Sequence, residues 1–158
     1  MDSSKKTLIV FSGDLDRAIA AFIIATGAAA MGDEVTMFFT FWGLNILRKS
    51  SAPHHHKALL QAMFGAMMPR GTARLRLSQM NFLGLGPRLM RRVMRQQNVM
   101  SLEELMASAR EQGVKMIACK MSMDVLGLSE DELVDGLDYV GVASYLAEAD
   151  QASVNLFV

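Results

Sequence analysis

The amino-acid sequence predicts an α/β protein with a parallel sheet and helices on both of its faces. Short apolar runs alternate with helical segments along most of the chain, and strand–helix units of this kind assemble into parallel sheets. The run EVTMFFTFWG is apolar at successive positions, which is typical of a central parallel strand that is buried on both faces. The 158 residues are enough for one domain with its own core, so we predict a single domain over residues 1–158.

The first strand and helix lie at the start of the chain. TLIVFSGD is an apolar, β-branched run that ends in Ser-Gly-Asp, which is typical of a buried strand followed by a turn. The segment Leu15–Met31 is rich in alanine and isoleucine and stops at Gly32, so it predicts a helix that ends at a glycine. EVTMFFTFWG then forms the second strand.

Capping signals mark the helices of the C-terminal half. Ser101 and Glu104 have the spacing of a capping box, which predicts a helix that begins there and is followed by the strand VKMIAC. Ser129 repeats the capping spacing at the start of another short helix. A helix over Gly141–Asp150 and a last strand, SVNLFV, complete the predicted alternation.

An insertion over about residues 50–98, rich in methionine, arginine and glycine, interrupts this alternation. The insertion contains all three prolines, and we predict helices around His56–Met67 and from Pro87 to Gln97 with an irregular stretch between them. Insertions of this size in a compact domain usually carry a function or an interface.

The formal net charge is zero, but the charges are unevenly distributed. No acidic residue lies between Glu34 and Glu103, whereas the stretch from Glu103 onward has eleven acidic and three basic residues. The basic residues of the acid-free stretch are Arg48, Lys49, Lys57, Arg70, Arg74, Arg76, Arg88, Arg91, Arg92 and Arg95. We expect this basic segment to meet the acidic region of the same or another copy, which favours a homo-oligomer. We expect no nucleic-acid partner, because the basic run lacks interleaved aromatic residues.

The composition sets limits on the location of the protein. Apolar residues make up 51% of the chain, which predicts that part of the surface is buried in an oligomer or faces a membrane. The longest apolar stretch, Ala18–Met31, is shorter than the ~20 residues of a spanning helix, so a membrane contact would be peripheral. The first residues lack the features of a signal peptide, and a single cysteine forms no disulfide within the chain. We therefore expect a cytoplasmic location.

Cys119, the only cysteine, is the last residue of the predicted strand VKMIAC. Reactive groups of parallel sheets gather at the carboxyl ends of the strands, and Ser12 and Asp14 follow the first strand at the same edge. A helical turn after Cys119 and the adjacent Lys120 would both stabilise a thiolate, the nucleophilic form of cysteine. A lone cysteine at the end of a buried strand is also often a small hydrophobic core residue. Both interpretations are open at this point.

Other motifs predict no site of their own. Ser-Gly-Asp lacks the glycine spacing of a nucleotide-binding loop, which favours a turn in which Asp14 caps a helix. The consecutive residues His54, His55 and His56 cannot all face one metal ion; a pair from two subunits could bind zinc, but a solvated loop is the simpler interpretation. The fourteen methionines mostly fill gaps in the core and interfaces. We predict no metal and no dissociable organic cofactor.

Several segments resemble the DsrE/DsrF-like family, most closely its stand-alone DsrE-like branch, which is often labelled sulfurtransferase or peroxiredoxin-like. They cover nearly the whole chain in the expected order. The segments are IVFSGDLDRAIAAFIIATGAAAMG, VTMFFTFWGLNILRK, MMPRG, LSQMNFLGLG, GVKMIACKMSMDVLGL and GVASYLAEA with VNLFV.

The resemblance implies a three-layer α/β/α domain with a five-stranded, mostly parallel sheet, flavodoxin-like in outline and usually assembled into homo-oligomers. It implies that Cys119 accepts a sulfane sulfur as a persulfide and passes it to another thiol. TusA-like or rhodanese-like sulfur carrier proteins are the partners that it implies. We take Lys120, Ser122, Ser12 and Asp14 as candidate supporting residues. The alternative is a non-catalytic oligomeric binding module for a small ligand or a partner protein.

Overall fold

The computed structural model describes residues 4–51 and 57–158, which form a five-stranded parallel sheet with helices on both faces. The strands are β1 (Lys5–Val10), β2 (Glu34–Phe39), β3 (Lys115–Cys119), β4 (Asp138–Val140) and β5 (Val154–Phe157). Their order across the sheet is β4-β3-β2-β1-β5, and each neighbouring pair is parallel. The predicted α/β fold with a parallel sheet is confirmed. The sequence pattern did not predict β4, because a strand of three residues is too short to give a periodic signal.

The described residues form six α-helices. These are α1 (Leu15–Ala30), α2 (Leu59–Met67), α3 (Leu85–Gln96), α4 (Leu102–Glu111), α5 (Lys120–Leu126) and α6 (Val142–Ala149). The chain steps in one direction from β1 to β4 and then returns across the sheet to place β5 beside β1. Since crossovers between parallel strands are right-handed, this reversal puts α6 on the face opposite α1 and α4. The sheet is therefore the middle of three layers.

The larger core lies between the sheet and the helices α1 and α4. Side chains of β1 and β2 that point to this face, such as Leu8 and Phe39, are fully buried against α1 and α4. The ring of Phe22 on α1 packs on Phe39 with 6.0 Å between the centroids. Ser101 caps α4 as predicted, because its hydroxyl accepts from the Glu104 N–H at 3.2 Å and the Glu104 carboxylate accepts from the Ser101 N–H at 2.7 Å.

The smaller core lies on the opposite face, where α6 covers the sheet. Its fully buried members come from β2, β3 and α6: Phe38, Ile117, Cys119 and Tyr145. The alternation of side chains along a strand explains the division, since Ile117 and Cys119 point to this face while Met116 and Ala118 point to the other.

The second strand is shorter than predicted. It ends at Phe39, and a 3-10 helix over Phe41–Leu47 follows it. Gly43 explains the turn, because a Cβ at this position would overlap the carbonyl oxygen of Val10. The chain after β2 thus packs directly against the end of β1 instead of continuing as a strand.

The insertion contains two helices, as predicted, with shifted boundaries. The first helix begins at Leu59, and His56, at which its start was predicted, lies outside the described residues together with His54 and His55. The second begins at Leu85, two residues before Pro87, which is tolerated because the first N–H groups of a helix need no partner within it. Among residues 4–51 and 57–158, no helix has both the length and the apolar character needed to cross a membrane.

Candidate functional site

Cys119 is the last residue of β3 and directly precedes α5, so the predicted strand end and helical turn are both confirmed. Its side chain points to the face of the sheet that α6 covers. Cys119 is only 2% exposed and belongs to the cluster that contains Phe38, Ile117 and Tyr145. The Cys119 thiol, which the sequence places at the edge of the sheet, is therefore covered within its own chain.

Tyr145 attaches α6 to the sheet, so that α6 covers this cluster. Its ring stacks on Phe38 with 4.7 Å between the centroids. Its hydroxyl lies 3.0 Å from the hydroxyl of Thr7, which is itself buried on β1 and also donates to Asn155 on β5. The aromatic contact fixes α6 to β2, and the hydrogen bond fixes it to β1. A molecule that reaches the Cys119 sulfur has to displace part of this cover.

Lys120 and Ser122 flank Cys119 in sequence but have partners of their own. The Lys120 ammonium lies 3.3 Å from the Glu130 carboxylate, and the lysine side chain is half exposed. The Ser122 hydroxyl is completely buried and lies 2.8 Å from the hydroxyl of Thr40, the residue after β2. Ser122 thus ties the first turn of α5 to the carboxyl end of the neighbouring strand.

Ser12 and Asp14 lie together at the carboxyl end of β1. The Ser12 hydroxyl is 3.0 Å from the Asp14 carboxylate and accepts the Asp14 N–H at 3.1 Å. Asp14 occupies the position that precedes α1, but its side chain makes no capping hydrogen bond and pairs with Arg17 at 3.8 Å. The predicted cap is wrong in this respect, because the carboxylate is engaged by Ser12 and Arg17.

Ser12 and Asp14 line a cavity of about 460 Å³ at this edge of the sheet. The other lining residues are Gly13, Trp42, Asn45, Phe64, Met67, Met68, Pro69 and Arg76. The cavity lies on the side of the larger core, to which Met68 belongs, whereas Cys119 faces the smaller one. Since β2 separates β1 from β3, the two groups of predicted site residues are also about 10 Å apart across the strands.

Asn45 is a feature of this cavity that the sequence did not indicate. It is 3% exposed, and its side-chain oxygen has no hydrogen-bond partner within the described residues. Buried polar atoms are nearly always hydrogen-bonded, so this amide is able to accept a hydrogen bond from a bound molecule or water. Gly13 fits tightly here, because a Cβ would come 2.6 Å from the carbonyl oxygen of Trp42.

A buried ionic cluster joins the insertion to the domain on the side of the larger core. The Glu132 carboxylate lies 3.6 Å from the Arg48 guanidinium and also pairs with the Lys57 ammonium. Arg48, which is 2% exposed, donates to the carbonyl oxygens of Met68 and Gly65 at 3.4 and 3.3 Å. Part of the basic segment therefore meets the acidic region of the same chain.

Hydrogen bonds keep Glu132 ionised in this cluster. Burial alone would raise the pKa of its carboxyl group. The hydrogen bonds from Lys57 and Ser129, together with the charge of Lys57, outweigh burial and hold the pKa below its usual value. The capping signal that predicted a helix start at Ser129 thus also positions this carboxylate, whose oxygen accepts from the Ser129 hydroxyl at 3.1 Å.

Sequence reasoning missed several residues that shape both regions. Thr40 and Tyr145 act through contacts with residues that are 82 and 138 positions away along the chain. No local pattern predicts such pairs. The turn at Gly43 brings Trp42 into the cavity that Ser12 and Asp14 line, a position that depends on the path of the chain after β2.

Comparison with known proteins gives a consistent result along the whole chain. A family model described as DsrE/DsrF/DrsH-like matches residues 3–157. The uncharacterised protein YrkE of Bacillus subtilis is 54% identical over 156 residues, which are 99% of this chain and 98% of YrkE. The sulfur carrier protein DsrE2 of Allochromatium vinosum is 35% identical over 162 residues, which cover all of both chains.

Two solved structures share the fold at low sequence identity. One is MTH1491 from Methanobacterium thermoautotrophicum, with a TM-score of 0.58 and 13% identity over 98% of this chain and 99% of that one. The other is the ychN protein from E. coli, with a TM-score of 0.55 and 12% identity over the same shares of the two chains. These likenesses support the three-layer fold alone.

Proposed function

Because the chain belongs to the DsrE/DsrF/DrsH-like family, we propose that it is a sulfur carrier or sulfurtransferase that relays sulfane sulfur through a persulfide on Cys119. The observation that carries the proposal is the position of Cys119. The only thiol of the chain ends a central strand at the carboxyl edge of the sheet, within a domain 35% identical to a sulfur carrier protein.

The proposed relay consists of two exchange steps that balance without a cofactor. The Cys119 thiolate attacks the terminal sulfur of a donor persulfide, so a new sulfur–sulfur bond forms as the donor bond breaks and the donor thiolate leaves with the electron pair. An acceptor thiolate then attacks the terminal sulfur of the Cys119 persulfide, and Cys119 leaves as a thiolate. One cysteine in this chain is sufficient, since the other thiols belong to the partners.

The burial of Cys119 has a function in this proposal. A persulfide beneath Phe38 and Tyr145 is shielded from water and from unrelated thiols until the acceptor protein binds. Transfer then requires that a docking partner displace part of α6, which is short and leaves Val142 and Leu146 more than half exposed. Ser122 and Thr40 hold the backbone at the sulfur in place during that movement.

Sulfur loading tests the proposal directly. We expect that incubation with polysulfide adds the mass of one sulfur atom to the intact protein, and that Cys119→Ser abolishes the gain. Asp124→Asn is the matched control, because it changes an exposed α5 side chain and leaves the thiol in place. Iodoacetamide should react with Cys119 slowly in the native protein and fast in urea, since the side chain is buried. An unmodified wild-type protein, or equal loading of the Cys119→Ser variant, would contradict the relay.

A non-catalytic binding module is the second candidate, and the cavity at Ser12 favours it. Asp14, Arg76 and the Asn45 oxygen surround a space large enough for a small polar molecule, and that oxygen has no hydrogen-bond partner in the described part of the chain. Trp42 is the only tryptophan and lines this cavity, so its fluorescence reports occupancy. A ligand that changes the fluorescence of a protein unable to take up sulfur would establish this function instead.

The partners and the location form part of the same proposal. A relay needs a donor and an acceptor, for which TusA-like or rhodanese-like sulfur carriers are suited. Exposed apolar side chains away from α6, such as Ile23 and Ile24 on α1, suit a homo-oligomer. A reducing cytoplasm keeps the single thiol free. Transfer of sulfur from loaded protein to a purified TusA-like carrier, and the native mass of the protein, are the corresponding measurements.

A further inference from the structure

The second helix of the insertion has two exposed ridges of different chemistry. Leu85, Leu89 and Val93 are four residues apart, so they lie along one side of α3, and they are 58%, 61% and 52% exposed. The second ridge, beside the first on the helix surface, consists of exposed arginines: Arg88, Arg92 and Arg95. The helix is therefore amphipathic, but its apolar side faces outward instead of into the core.

The side of α3 opposite the exposed ridges contacts the rest of the domain. Gly86 and Pro87 are buried, and the Arg91 guanidinium donates to the carbonyl oxygen of Thr72 at 2.8 Å. A cavity of about 400 Å³ lies between α3 and the first turns of α1 and α4. Gly86, Pro87 and Arg91 thus attach α3 to the domain, and the exposed side chains of the two ridges lie outside these contacts.

The turn before α3 extends the apolar ridge. Met80, Phe82 and Leu83 have positive φ angles of 57°, 40° and 54°, which bulky side chains rarely adopt. Their side chains are 70%, 62% and about fully exposed. The carbonyl oxygen of Asn81 accepts the N–H groups of Gly84 and Gly86 at 2.9 and 3.1 Å, which holds the turn. The molecule thus maintains a strained turn that presents three apolar side chains outward, as binding sites often do.

We propose that α3 and the turn Met80–Leu83 dock on an anionic phospholipid bilayer, with α3 lying in the plane of the membrane surface. An in-plane helix needs an apolar side that enters the lipid and cations that reach the headgroups, and α3 has both. The charge of the segment fits this partner, because no acidic residue lies between Glu34 and Glu103. Arg88 and Arg92 are exposed, and Arg95 is exposed beside the cavity that Glu103 and Glu104 of α4 also line.

A second copy of the chain fits this surface less well than a bilayer does. Several acidic side chains at the β4 end of the molecule are already paired with lysines of their own chain. The pairs are Lys49–Asp135 at 3.0 Å, Lys115–Asp138 at 3.9 Å and Lys120–Glu130 at 3.3 Å. An arginine ridge gains less from such neutralised carboxylates than from a continuous layer of anionic headgroups.

Flotation with lipid vesicles tests the inference. We expect the full chain to float with vesicles of phosphatidylcholine containing one third phosphatidylglycerol, and to float much less with phosphatidylcholine alone. The triple change Arg88→Gln, Arg92→Gln and Arg95→Gln should weaken partitioning by about a hundredfold, because each cation near the surface contributes about fivefold. Salt at about 1 M shortens the screening length to about 3 Å and should release the protein.

Leu83→Asp tests the apolar contribution. Its side chain is fully exposed and aspartate tolerates positive φ better than leucine, so the variant should fold normally, as circular dichroism will check. We expect about a tenfold or greater loss of partitioning. Met31→Asp is the matched control, since Met31 is 74% exposed at the opposite edge of the sheet, and it should bind like the wild type.

Two outcomes would overturn the inference. One is a wild-type protein that floats neither with the vesicles that contain phosphatidylglycerol nor with phosphatidylcholine alone, or that floats equally with both. The other is a Leu83→Asp protein that binds vesicles like the Met31→Asp control but has a lower native mass, which would identify this surface as a contact between copies. Neither outcome depends on sulfur transfer, because Cys119 lies at β3 and takes no part in the docking surface.

Discussion

The two faces of the sheet differ in how they are covered. One face carries α1 and α4 and a large core, with a buried ionic cluster beside it. Within residues 4–51 and 57–158, the other face carries α6 alone, over a small cluster that contains the only cysteine of the chain. A thick layer resists local opening, whereas a single short helix opens at lower free energy. We therefore expect the first face to contribute most of the stability and the second to be the one that opens in the proposed sulfur relay.

Matched aromatic truncations on the two faces should have the largest effects. Phe22→Ala removes a fully buried ring from the large core, and we expect it to lower the free energy of unfolding by about 5 kcal/mol. Phe38→Ala removes a ring from the small cluster and should cost about 3 kcal/mol, because the thin layer relaxes more easily. Urea unfolding measures both values. Equal costs, or a larger cost for Phe38→Ala, would remove the proposed difference.

Glu132→Gln should cost about 3–5 kcal/mol, since it leaves Arg48 and Lys57 without their buried counter-charge. The pH dependence sharpens this prediction. The carboxyl pKa is lower in the folded than in the unfolded protein, so its contribution is complete above about pH 4.3 and is lost as the pH falls through the folded value. Wild-type stability should therefore decline on acidification more steeply than that of Glu132→Gln. Parallel pH profiles in urea would show that Glu132 is not the responsible group.

Tyr145→Phe should have the smallest effect on stability and a clear effect on Cys119. It removes the hydrogen bond to Thr7 and keeps the stacking on Phe38, so we expect a loss of about 1 kcal/mol. Weaker attachment of α6 should also speed the reaction of Cys119 with iodoacetamide under native conditions. Ser101→Ala is the control, because it costs a similar amount on the other face and should leave the rate unchanged. Equal rates in the two variants would mean that α6 does not control access.

The sequence predicted the fold well where the signals are local. The capping box of Ser101, the strand that ends at Cys119 and the helix after Asp14 depend on neighbouring residues, and the structure contains all three. The turn at Gly43 depends on the close approach of Val10, which is distant along the chain. Because the residues next to Gly43 give no signal of this contact, the second strand was predicted too long.

The candidate site was predictable only in part. The order of strands and helices was enough to predict that Cys119, Ser12 and Asp14 lie at the carboxyl edge of the sheet. The face on which a side chain lies depends on the alternation within each strand and on what covers it. The separation of the cavity from the cysteine, and the cover by Tyr145, therefore required the structure.

The position of α6 and β5 along the chain has a consequence for biosynthesis. A ribosome releases these elements after every other element of the sheet, and β5 has to cross back to β1 before α6 can settle. Until α6 has been translated and has packed, Cys119 and Phe38 lack the cover that Tyr145 provides. The thiol of the nascent protein is thus open to oxidants until α6 packs on the sheet and covers it.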